Sequence, residues 1–147
     1  MTRISHLAII AGLTLCAPWP ADARNDKYML PIKAALDSSD ARNKPDGTVK
    51  FFFGKQTKPA IVANLGTATP HGKASTRGSD DIKACNAAFL AALVDFQKRA
   101  KKAGANAVVN IVSYYKNVEV ASPSEFECHA GAAAHAILRG DLAKIAD

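Results

Sequence analysis

Hydrophobic and polar positions change period several times along the chain, and each change marks an element. The clearest run begins at Ser79, read as a helix N-cap, with Asp80 and Asp81 in the first turn where the helix dipole favours acids. Ile82, Cys85, Phe89, Ala92, Phe96, Ala100 and Ala103 then recur at spacings of three and four, which is one helical face. Lys98, Arg99, Lys101 and Lys102 crowd its end, and Gly104 suits the left-handed position just beyond it. That basic cluster reads as cations at a helix C-terminus on a solvated face.

Strand patterns flank this helix. Residues 48–53 (TVKFFF) and 61–69 (IVANLGTAT) are rich in β-branched or aromatic residues, with Gly66 a candidate bulge. Residues 107–115 (AVVNIVSYY) are apolar at both parities, as in a strand buried on both faces. From Glu125 to about Leu138 the chain alternates: Phe126, Cys128, Ala130, Ala132, Ala134 and Ala136 against Glu125, Glu127, His129, Ala133 and His135. This predicts one long antiparallel strand with a small, buried face. The expected fold is α+β: a mostly antiparallel four-stranded sheet in the order β-β-α-β-β, with one long amphipathic helix packed on it. Residues 24–47 are expected to be a lead-in with a short helix using Met29, Leu30, Ile32 and Leu36. Residues 70–79 read as a polar loop, 48–140 as the single domain, and 141–147 as a polar tail.

The first 23 residues follow a different logic. Arg3 precedes a ten-residue apolar run, Leu7 to Cys16, then Pro18, Pro20 and the small residues of Ala21-Asp22-Ala23. Charge, apolar run and small-residue site are the order of an export signal, predicting cleavage between Ala23 and Arg24. The run is too short to span a bilayer. No later segment is apolar enough, so the chain is not expected to be membrane-spanning. Leu15 before Cys16 argues against lipid attachment there. The expected address is the periplasm, with secretion beyond it the alternative.

Composition refines this picture. The 147 residues are 48% hydrophobic and 22% charged, ordinary values for one globular domain. The net charge is +6, and losing residues 1–23 removes Arg3 and Asp22, which leaves it unchanged. An exported protein rarely meets nucleic acid, so the partner expected is an envelope protein or an anionic envelope polymer. Export also changes the cysteine count from three to two. Cys85 and Cys128 share the apolar side of their elements, which makes a disulfide the expectation, against a metal pair or two free thiols. A 43-residue separation lets such a bridge contribute about 4 kcal/mol by chain entropy.

Catalytic patterns are sparse. The segment from Gly66 to Ala74 approaches a phosphate-binding loop, but it has five residues between Gly66 and Gly72 where four are needed, and Ala74 follows Lys73. ATP hydrolysis is therefore not expected, and neither a catalytic set nor a cofactor fingerprint is read. For a transition metal the candidates are His129, Glu127 and a loop residue such as His71, set against the reading of exposed residues on a solvated sheet face. On one extended strand, His129 and His135 would lie roughly 20 Å apart. Tyr114 and Tyr115 read as packing residues. The expected role is a non-catalytic envelope protein that binds a macromolecule or reports envelope state. The alternative is a small-ligand or transition-metal-binding module.

One resemblance adds to this. The run from Ala100 through Gly104-Ala105-Asn106-Ala107-Val108 to Asn110, with Leu65-Gly66 in a preceding strand, resembles the GANAV hallmark of a group of small bacterial α+β domains. That group includes the Rcs envelope-stress sensor lipoprotein and, more distantly, the YbjQ-like family. The signal segment, VKFFFG, GANAVVNIVSYYK and Glu127-Cys128-His129-Ala130-Gly131 more closely resemble small exported proteobacterial proteins often labelled "excinuclease ATPase subunit". The resemblance implies an α+β fold and an exported address, with no chemistry attached.

Overall fold

The computed structural model describes residues 23–38 and 44–146. The proposed signal segment, apart from Ala23, lies outside the described residues. The chain is α+β, but the sheet has seven strands rather than four. In chain order the elements are β1 (Asp26–Pro31), α1 (Ile32–Asp37), β2 (Lys50–Phe53), β3 (Ile61–Ala68), β4 (His71–Ser75), α2 (Asp81–Ala103), β5 (Ala107–Ser113), a single 3-10 turn (Tyr115–Asn117), β6 (Glu125–Ala130) and β7 (Ala133–Ile145).

The sheet curls into a half-barrel, and β7 is its spine. The first half of β7 pairs with β6 on one side and β4 on the other, and β1 lies outside β6. The second half pairs with β5 and β3, and β2 lies outside β5. All pairings are antiparallel except β2 with β5. Helix α2 fills the concave side. Phe89, Phe96, Leu93 and Ala92 are fully buried there, and Phe89 stacks on Phe126 of β6 with ring centroids 4.1 Å apart.

The expected four-stranded order β-β-α-β-β is therefore wrong, for three physical reasons. First, the lead-in contains β1, whose ladder with β6 supplies backbone hydrogen bonds that its side chains do not announce, since Leu30 alone among its six residues is buried. Second, the polar loop contains β4, an edge strand whose exposed His71, Lys73 and Ser75 conceal Gly72 underneath. A Cβ on Gly72 would stand 1.8 Å from the Ala88 carbonyl oxygen, so only glycine admits α2 this close. Third, the long strand at 125–138 is a hairpin. The chain turns at Gly131 and Ala132, and β7 then runs on through the expected polar tail to Ile145, burying Leu138, Gly140 and Leu142 between Arg139 and Asp141. The pairing of Ala130 with Ala134 preserves parity across the turn, which is why Phe126, Cys128, Ala134 and Ala136 still share the buried side.

Smaller differences concern ends. Asp80, not Ser79, caps α2, its carboxylate accepting from the Lys83 amide at 2.8 Å. Gly104 takes the left-handed conformation at the other end. Ile82 and Ala103 extend the helical stripe past the sheet and are exposed. Gly66 has φ +109° within a register shift of β3 against β7. Among the described residues, no helix is long and apolar enough to cross a membrane.

Candidate functional site

Cys85 and Cys128 join the helix to the sheet. Their Cα atoms are 5.8 Å apart, bonded through sulfur, and both residues are fully buried. Cys85 comes from the first turns of α2 and Cys128 from mid-β6. Strand alternation then forces the neighbours of Cys128, Glu127 and His129, onto the opposite, convex face. The covalent link thus fixes which side of β6 carries its ionisable groups.

That convex face of the β1, β6, β7 and β4 strands is the richest in chemistry. Register alone sets a row across it: Lys27 lies opposite His129, His129 opposite His135, and His135 opposite Lys73. The histidines that an extended strand would hold far apart are direct cross-strand partners, because the turn at Gly131 folds one onto the other. A lone Gly inside an alanine-rich alternating run was the available signal for that turn.

Two subclusters form around the row. In one, His129 Nε2 donates to Glu127 Oε1 at 2.8 Å, and the Lys27 ammonium lies 2.8 Å from Glu127 Oε2, off the hydrogen-bonding direction. The Tyr115 ring covers His129, with centroids 3.5 Å apart and planes 11° from parallel. Tyr115 is thus a stacking residue. Glu127 and His129 are 6% and 7% exposed, so this ion-paired network lies under the tyrosine rather than in solvent. Burial alone would raise the Glu127 pKa, but the nearby Lys27 ammonium and the hydrogen bond from His129 outweigh it, and the carboxyl stays below its ordinary range. His129 Nδ1 is buried with no hydrogen-bond partner among the described residues. The other subcluster is His71 and His135, with His71 Nε2 and His135 Nδ1 2.8 Å apart. Burial, then His71, Lys73 and His129, lower the pKa of His135 and so disfavour its charged form.

The metal candidates therefore separate. His129 and Glu127 meet as expected, but His71 sits on β4 beside His135. Among the described residues, no three His, Cys, Asp or Glu side chains are placed to hold one ion. The sequence reading missed Lys27 and Lys73, which β1 and β4 bring to the face; it set His135 aside on distance and read Tyr115 as packing.

Beside the row lies a cleft of 410 Å³ lined by Arg24, Asn25, Lys73, Tyr115, His135 and the 131–133 turn. Arg24 is tied to Asp81 at 2.8 Å, and Asp81 also accepts from the Tyr28 hydroxyl at 2.9 Å. Those two bonds, Tyr28 first, hold the Asp81 carboxyl below its ordinary pKa. Lys73 and Arg77, which border the adjoining groove along β4, make no ion pair among the described residues. No protein-family profile, curated protein or solved structure matches the chain.

Proposed function

We propose that this is an exported, non-catalytic protein of the cell envelope that binds an anionic envelope polymer along β4 and the 131–133 turn. The observation that carries the reading is the pair of uncompensated cations, Lys73 and Arg77, on the rim of clefts that also present Arg24, Asn25 and Tyr115. Phosphate or carboxylate groups repeating along a polymer suit such a line of cations, and a net charge of +6 supplies attraction at longer range. The groups best suited to acid–base or nucleophilic work are otherwise engaged. Glu127 is held by Lys27 and His129, and both mature cysteines are oxidised to one another. A buried disulfide also suits an oxidising compartment such as the periplasm.

The test is binding of purified lipopolysaccharide by isothermal titration at low and high salt. Salt-sensitive binding that weakens at least about tenfold in the Lys73→Ala, Arg77→Ala double variant supports the reading. Binding unchanged in that variant, or no binding at low salt, refutes this surface as the polymer site. Cell fractionation tests the address: the chain should begin at Arg24 in the periplasmic fraction, and an intact Met1 in the cytoplasm would contradict export.

A further inference from the structure

We propose that His71 and His135 together bind one divalent transition-metal ion of the Cu²⁺ or Ni²⁺ kind on the convex face of the sheet. The inference is independent of the polymer reading and rests on the placement of two ring nitrogens.

Their separation has chemical meaning. His71 Nε2 and His135 Nδ1 stand 2.8 Å apart. Two imidazole nitrogens bound at right angles to one ion, each about 2.0 Å from it, are also about 2.8 Å apart. Right-angle ligation belongs to tetragonal and octahedral ions, hence the choice of Cu²⁺ and Ni²⁺ over a tetrahedral preference. The planes of the rings are 44° apart with centroids at 5.0 Å, so each ring needs to turn until both lone pairs aim at a common point. His71 is exposed and His135 half-buried, which leaves room for that turn and for the water molecules that complete the coordination shell.

The backbones beneath are firmly set. His71 and His135 sit diagonally on adjacent strands whose register runs unbroken from His71 to Ser75. Gly72 anchors β4 against α2, and the flanking Ala134 and Ala136 anchor β7 in the core. A pair held this way loses little backbone freedom when it takes an ion.

The proton balance is simple. In the free protein one of the facing nitrogens donates and the other accepts. Binding requires lone pairs on both, so the donor ring shifts its proton to its far nitrogen. That shift within the ring releases no net proton. Among the described residues no carboxylate joins this pair, so hard cations such as Mg²⁺ and Ca²⁺ find no ligands of their preferred kind there. Lys73 lies opposite His135, is exposed, and can swing its ammonium away on its four-carbon stem.

Untagged protein titrated with NiCl₂ or CuCl₂ in a calorimeter at neutral pH tests the site. The expected result is one ion per chain, weakened at least about tenfold by His71→Ala and by His135→Ala. Circular dichroism checks that each variant folds, and exposed His71 is the safer substitution. In parallel, Cu²⁺ should broaden nuclear magnetic resonance signals around His71 and His135 before any others. Absence of binding, affinity unchanged from the parent protein in both histidine variants, or broadening centred elsewhere would overturn the proposal.

Discussion

The two halves of the sheet share β7 but are built differently. In the half formed by β1, β6, β4 and the start of β7, every pairing runs in unbroken register. In the half formed by β2, β5, β3 and the end of β7, every pairing contains a shift. The regular half carries the disulfide, the histidine row and the closest approach of α2. The shifted half carries a small apolar cluster of Ala107, Val109, Ala143 and Ile145 under Phe52, and an edge strand, β3, exposed along nearly its whole length. Bulges bend and twist strands, so the shifted half supplies curvature. Unbroken register stacks side chains into rows, so the regular half supplies a surface on which ionisable groups meet at defined distances.

The largest way to break this contrast is to cut the disulfide. Replacing both Cys85 and Cys128 with Ala should cost about 4 kcal/mol of unfolding free energy, measured by denaturant titration. A loss below about 1 kcal/mol would mean that the regular half holds its register without the link.

Glycine substitutions sharpen the comparison next. Gly72→Ala in the regular half drives a methyl into the Ala88 carbonyl and should cost about 3 kcal/mol. Gly66→Ala in the shifted half meets open space and pays only for its positive φ, about 1 kcal/mol. Thermal melts of the two variants side by side decide it, and equal costs would contradict the rigidity assigned to β4.

Acid should loosen the regular half through two of its carboxyls. Asp81 and Glu127 both have folded pKa values below their ordinary ones, 3.8 and 4.5. Groups depressed on folding stabilise above their unfolded pKa, and that contribution is lost as pH falls through the folded value. Melting temperature should therefore drop below about pH 4.5, and Asp81→Asn should flatten the drop. A slope unchanged by that substitution would count against the Arg24–Asp81–Tyr28 linkage. The smallest effect belongs to β3: Val62→Thr, at an exposed edge, should shift stability by less than about 0.5 kcal/mol.

Legibility followed the same divide. The helix was readable because Cys85, Phe89, Ala92, Phe96 and Ala100 all enter one core, and burial on one face imposes a period that sequence displays. The edge strands β1 and β4 were not. Residues of β1 and β4 gain their structure from backbone ladders with β6 and β7, and their side chains mostly face water. The hairpin was hidden because Gly131 and Ala132 interrupt the alternation without changing its parity. Of the candidate site, Glu127 and His129 could be paired from their spacing of two on one strand. The meeting of His71 with His135 could not, since it depends on two strands that a sequence read as loop and as one continuous strand.

By itself, then, the sequence determined the α+β class, the long helix with its left-handed Gly104 stop, and the sidedness that turns Cys85 and Cys128 toward each other. These follow from local periodicity and from the burial of apolar faces, which act residue by residue. Only the tertiary structure decided how many strands there are, that β7 spans both halves, and which imidazoles touch. Those outcomes depend on backbone hydrogen bonding between distant segments, which is nearly blind to side-chain identity and so leaves little trace in composition or spacing.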